Sequence, residues 1–372
     1  MTPLKPPAAP LPINEKALHV VIIVCVAILS SFLFVYMLGG YLGQEIWGKS
    51  IVNIDPTATL SAAELSSYKF AQFMYQVGTF LIPSLIFALV LRRKIPEFFH
   101  LNPKLSKKGI GWTLLFFVLA LFASSYMIDA LSFVQWPDSI IEMEEQNQTL
   151  LLQLLKFDSL SDWMVNLLLF VLMPALVEEF FFRGVLLRMF LNSSRNAHLA
   201  VAISALIFAL IHGQMTALLS FWLMGMVLGY LYLVSGDLKY PIILHMLHNG
   251  TSLILDALYK KGYIQTDPMN YELPSIIGLV ALGGLIYAMY RFYQSIGSPH
   301  LKVNSANQIK WVKLWEESDF IKAQMLSDRL EAEGYQVAFL NKKDSNYGFG
   351  SAEIHVPDFE FESARSFLNK IK

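Results

Sequence analysis

Eight stretches of this chain carry almost no charge, and few folds accept such stretches. A bilayer core about 30 Å thick is crossed by roughly 20 apolar residues wound as a helix. Runs of that kind occur at Ala17–Gln44, Phe70–Leu91, Gly109–Ile128, Trp163–Val177, Leu199–Ile211, Met215–Val234, Tyr240–Leu255 and Leu273–Tyr290. The fourth continues through Phe180, Phe181 and Phe182 after two glutamates, so it reads as one long helix interrupted by acid. The fifth is short enough to be a half-span. The expected body is an all-α polytopic membrane bundle of about eight transmembrane helices.

Composition adds a boundary. Charged residues make up 15% of the 372 positions, whereas soluble domains average about 25%. Disorder, nucleic-acid binding and an ordinary cytosolic enzyme are all disfavoured. Residues 1–300 carry 36 charged side chains and residues 301–372 carry 21, so a membrane protein is joined to a small soluble domain near 300. The expected organisation is a Pro-rich leader at 1–16, N-terminal transmembrane helices at 17–158 and a core at 159–295. A linker at 296–307 and a soluble domain at 308–372 follow. The one cysteine, Cys25, excludes an intramolecular disulfide and a thiolate metal cluster.

Basic loops set orientation. Arg92, Arg93, Lys94, Lys104, Lys107 and Lys108 follow the second run, and Arg183, Arg188 and Arg195 follow the fourth, which puts both segments in the cytoplasm. The expected loop between runs three and four carries Asp138, Glu142, Glu144 and Glu145 with only Lys156, and suits the outside. Eight spans then leave both termini cytoplasmic, with Lys260 and Lys261 outside against the trend. The first run has no small-residue cleavage pattern and reads as an anchor rather than a signal peptide.

Ionisable groups at membrane depth are costly and by default functional. Three places break the apolar runs. Glu179 and Arg183 stand at i, i+4, where an acid and a guanidinium meet on one helix face. Glu178 is turned about 100° away and has no such partner nearby in sequence. Pro174, one turn earlier, would kink the helix beside the acids. The second place is His212, at the end of an apolar run. The third is His245 with Asn249, again i, i+4, with His248 flanking and Pro241 suited to the first helical turn. Each has a plain structural reading: snorkelling charges at an interface, or His and Asn bonding across helices. Together they place two carboxylates, an Arg, histidines and an amide on three spans that otherwise lack ionisable groups. A carboxylate with a His can hold and deprotonate a water, and a His with an Asn can donate to an oxyanion. No serine or cysteine lies among them to act as a covalent nucleophile.

The patterns Glu178-Glu179-x-x-x-Arg183, Phe208-x-x-x-His212 and His245-x-x-x-Asn249 resemble the three ordered motifs of the CPBP intramembrane proteases. That family includes the type II CAAX prenyl endopeptidases and the lysostaphin resistance protein A-like bacterial proteins. The likeness covers roughly residues 160–260. It implies Glu178 as general base, His212 positioning the water, His245 and Asn249 as the oxyanion site, and Glu179 and Arg183 in support. The resemblance also carries a metalloprotease label. Glu178, His212 and His245 would be the ligands of a zinc ion. The chain lacks a His-Glu-x-x-His helix and Asn249 has no natural place as a zinc ligand, so a metal-free water is expected, with zinc the alternative. A site open to the cytoplasmic side would suit a lipid-anchored or transmembrane peptide as substrate; nothing identifies a prenylated C-terminus.

Two other classes compete. One is a non-proteolytic membrane scaffold or bacteriocin-immunity-type protein on the same fold. The other is a transporter relaying protons, which the lack of internal duplication disfavours. The tail reads as βαββα, a small α+β domain. Ile309, Trp311, Lys313 and Trp315 would share one strand face, and Ser318 would cap a helix ending near Glu333. Strands at Tyr335–Leu340 and Ala352–Val356 and a last helix follow. The tail resembles a small bacterial domain described as a signal-transducing protein of unknown function. It would serve a cytoplasmic partner or a ligand.

Overall fold

Long apolar segments become helices here because each satisfies its own backbone hydrogen bonds, which lipid cannot do. A computed structural model describes residues 16–55, 58–90, 95–99, 101, 104–193, 196–265, 274–296, 311–341, 351–357 and 360–371. The leader (beyond Lys16) and nearly all of the expected linker lie outside the described residues. The chain divides into Met1–Leu301 and Lys302–Lys372, a break inside that linker.

The first unit holds α1 (Ile22–Trp47), α2 (Ala62–Leu89), α3 (Lys107–Asp129) and α4 (Asp138–Leu154). It continues with α5 (Leu160–Leu191), α6 (Ala197–Ile211), α7 (Leu218–Ser235), α8 (Lys239–Lys260) and α9 (Ser275–Ile296). Six of these helices (α1, α2, α3, α5, α7 and α9) are long and apolar enough to cross a membrane among the described residues. The other two expected spans are helices as well. However, α6 has only 15 residues, and α8 is made polar by its histidines, Asn249 and Asp256. The second span starts earlier than expected because Ser61 and Glu64 form a reciprocal capping box ahead of Ala62. In α5, a π-helical turn at Leu167–Leu172 precedes Pro174. The proline has no N–H to donate and its ring crowds the carbonyl one turn back, so a widened turn there relieves both.

Two sets of hydrogen bonds define the ends of the bundle. At one end Arg188 Nη1 donates to Phe98 O (2.9 Å) and Ser106 N donates to Tyr240 Oη (2.9 Å). At the other, Lys69 Nζ donates to Asn166 Oδ1 (3.2 Å), and Ser275 Oγ donates to Asp129 Oδ2 (3.3 Å). Lys260 Nζ donates there to the carbonyls of Leu152 and Leu155. We call these the Arg188 end and the Lys260 end. The acidic segment between the third and fourth runs is not a loop but contains the amphipathic helix α4, strapped across the Lys260 end. Glu144 accepts from Met215 N (2.5 Å) and Thr216 Oγ1 (2.6 Å), and Gln153 accepts from Leu60 N (2.9 Å).

Where helices meet in lipid, small residues allow close approach and tight packing replaces the hydrophobic drive. Gly225-x-x-x-Gly229 on α7 faces Ala205 and Val201 on α6. A Cβ at Gly225 would sit 2.9 Å from Ala205 Cα, and one at Gly229 would sit 2.8 Å from Val201 Cγ1. An aromatic cluster fixes α5 against its neighbours, with Phe180 stacked on Phe99 at 4.3 Å and Phe182 edge-on to Phe208 at 5.1 Å.

The second unit has β1 (Trp311–Glu317), α10 (Phe320–Ala332), β2 (Ala338–Asn341), β3 (Ala352–Pro357) and α11 (Phe361–Ile371), the expected βαββα order. The sheet order is β1-β3-β2, antiparallel throughout, over a core of Leu330, Ile354, Val356, Ala364 and Leu368. Two details depart from expectation. A bulge between Lys313 and Trp315 breaks the alternation, so Leu314 and Trp315 both pack on the core. Asp319, not Ser318, caps α10, accepting from Ile321 N (3.0 Å) and Lys322 N (3.3 Å).

Candidate active site

The polar residues that interrupt the apolar runs converge. Glu178, His212, His245 and Asn249 line one cavity of about 410 Å³, together with His248, Tyr75 and Gln76. Glu178 and Glu179 end a short α-helical stretch of α5, and a second π-helical turn, Phe180–Leu186, follows at once. Both carboxylates are buried, Glu178 6% and Glu179 0% exposed.

Their environments differ as the helical geometry demands. Glu179 Oε1 accepts from Arg183 Nη1 (2.6 Å) and from His245 Nδ1 (3.0 Å). Arg183 Nη2 donates onward to Gly225 O (2.9 Å), and the guanidinium lies 4.9 Å over the Phe208 ring. Arg183 is 1% exposed, so this is a buried ion pair tied to α7 and α8. The i, i+4 pairing expected from sequence is present, but it also holds His245. Glu178 points elsewhere. Its Oε1 accepts from Gln76 Nε2 of α2 (3.3 Å), and its Oε2 has no protein partner. Gln76 was not legible beforehand: it lies 102 residues away, and its only signal was an amide, one of two with Gln72, in the second span.

The histidines are oriented through Nδ1. Gly213 adopts a left-handed conformation (φ 68°) that ends α6 at His212, and His212 Nδ1 donates to Phe208 O (2.7 Å). A carbonyl only accepts, so the proton sits on Nδ1 and Nε2 is left as the other ring nitrogen. The His212 ring stacks on Phe221 at 4.3 Å. His245 likewise spends its Nδ1–H on Glu179, which leaves Nε2. Neutral His245 therefore cannot donate from Nε2; it does so only as the doubly protonated ring. His248, an addition to the motif, lines the same cavity, and its Nδ1 is buried without a partner.

The donor types of Glu178, His212 and His245 suit zinc, but among the described residues no three His, Cys, Asp or Glu side chains gather as a metal-ligand set. As placed, the three do not fit the ion.

Residues 160–251 match the family model described as type II CAAX prenyl endopeptidase Rce1-like. The chain is 24% identical over 210 residues to the membrane peptidase YdiL of Bacillus subtilis, which spans 56% of this chain and 81% of that protein. It is 33% identical over 88 residues to the membrane-embedded CAAX protease MroQ of Staphylococcus aureus, or 22% of this chain and 36% of that protein. No solved structure matches. The matched segment is similar to Rce1-like CAAX protease domains, and it contains all of the motif residues named above.

Proposed function

We propose that this chain is an intramembrane endopeptidase hydrolysing peptide bonds of membrane-associated substrates, with lipid-anchored or transmembrane peptides as the substrate class. One observation carries the reading. Buried Glu178 has one oxygen held by Gln76 and the other without a protein partner, in a cavity that His212, His245 and Asn249 also line.

In this reading a water bound between Glu178 and His212 loses a proton to Glu178 and attacks the scissile carbonyl carbon. The carbonyl oxygen becomes an oxyanion, which the Asn249 amide and the Nε2–H of protonated His245 stabilise. Glu179 keeps His245 oriented and balances its charge, while Arg183 balances Glu179. Glu178 then returns the proton to the leaving amine and the C–N bond breaks. We place the chain in the cell membrane with both termini cytoplasmic, the tail serving a cytoplasmic partner or ligand. Zinc is the alternative, for which Glu178, His212 and His245 would have to draw together from where they stand, and the metal content of the purified protein decides it.

The deciding variant is Glu178→Gln, which keeps shape and removes the base. Cleavage should vanish while expression and Tm are unchanged. A Gln variant that supports the biological role at full strength would mean a scaffold or immunity-type protein instead.

A further inference from the structure

The cavity belongs to one end of the bundle. On α6, α7 and α8 its lining comes within four residues of the Lys260-end terminus, at Ile211, Phe221 and Asp256. On no membrane helix does it come closer than six residues to the Arg188-end terminus, the nearest being His245 on α8. Glu178 and Phe80 lie at its inner limit, and exposed Ser252 lies on the way out.

The two ends differ sharply in charge. The segments joining helices at the Arg188 end (1–16, 90–108, 188–198, 236–239 and 291–300) carry twelve Lys/Arg and three Asp/Glu. Those at the Lys260 end (45–69, 129–162, 212–217 and 256–275) carry five Lys/Arg and thirteen Asp/Glu. Only Glu178, Glu179 and Arg183 remain between them. Lys and Arg near helix ends stay on the cytoplasmic side of a membrane.

We infer that the cavity opens to the extracytoplasmic side, so that its substrate is a peptide segment of an exported or membrane-inserted polypeptide presented at the outer leaflet. The substrate class rests on the protease reading; the direction of opening does not. This reverses the cytoplasmic opening expected from sequence. A C-terminus lipidated in the cytoplasm would arrive at the wrong end of the bundle.

The test uses the full chain with its single cysteine removed (Cys25→Ser) and one new cysteine, Ser252→Cys, in the cavity. The probe is a membrane-impermeant, positively charged methanethiosulfonate, applied to right-side-out and inverted vesicles. Modification should be at least about tenfold faster from the outer face, and Lys104→Cys should show the opposite preference. If Ser252→Cys folds poorly, Lys261→Cys at the rim reads the same direction. Faster modification from the inner face, equal rates, or protection from both faces would overturn the inference. Reversed labelling with normal cleavage overturns the direction alone. Outward labelling with a fully active Glu178→Gln enzyme overturns the protease reading and, with it, the substrate class.

Discussion

Replacing Arg183 by methionine tests whether the buried charge system holds the site together. The guanidinium makes two charge-assisted hydrogen bonds, to Glu179 (2.6 Å) and Gly225 O (2.9 Å), and covers Phe208 at 4.9 Å. Removing one partner of a buried pair costs about 3–5 kcal/mol because the other charge stays buried without compensation. At roughly 2 °C per kcal/mol for a body of this size, Tm of the detergent-purified protein should fall by roughly 6–10 °C. The glutamate left behind is the source of most of that loss. Adding Glu179→Gln, whose amide oxygen still accepts from His245, should therefore recover part of it, with a coupling of about 1–3 kcal/mol. Scanning fluorimetry on the two single variants and the double variant closes the cycle. An Arg183→Met protein as stable as the parent, or a double variant whose losses simply add, would refute the argument.

Asn249→Ala should lower kcat by about 10²-fold with little change in KM, because an oxyanion donor acts in the transition state; an equal loss in KM alone would remove Asn249 from that role. Purified protein should carry well under one zinc per chain and keep its activity under strong chelation, whereas stoichiometric zinc with loss on chelation would establish the metal alternative. Between α7 and α8, burial pushes the Asp237 carboxyl above the usual carboxylate range despite Lys239 beside it. An acid raised in the folded state weakens folding as pH climbs through its folded-state value, and not below its unfolded value of about 3.9. Asp237→Asn should therefore raise Tm at pH 7 and leave it unchanged at pH 3; a lower Tm at pH 7 would contradict this.

What could be read beforehand was whatever local geometry enforces. Glu179 and Arg183 had to meet because they share a helix face, and His245 and Asn249 line one cavity because they share another. Partners from other helices were invisible: Gln76 reaches Glu178 from the second span, and Gly225 offers its carbonyl from the seventh helix. The Gly225-x-x-x-Gly229 spacing permits close approach, but spacing alone does not name Ala205 and Val201. Helix α4 passed for a loop because its acids dominate its composition, although Ile140, Ile141, Leu150, Leu151 and Leu154 recur near helical spacing. In the tail the order of elements followed from alternation and turns. The bulge at Lys313–Trp315 did not, since one extra residue leaves no mark in a period-two pattern.

Gly225 combines two duties, contact with Ala205 and a carbonyl for Arg183. A methyl group added there would force α7 outward from α6, and the guanidinium would lose its acceptor without any cavity side chain being altered. Such a lesion would be registered at Glu179 and then at His245, two helices from the added atom. A random screen for lost activity would therefore score Gly225 beside the acids and histidines, although it is a spacer that never meets a substrate.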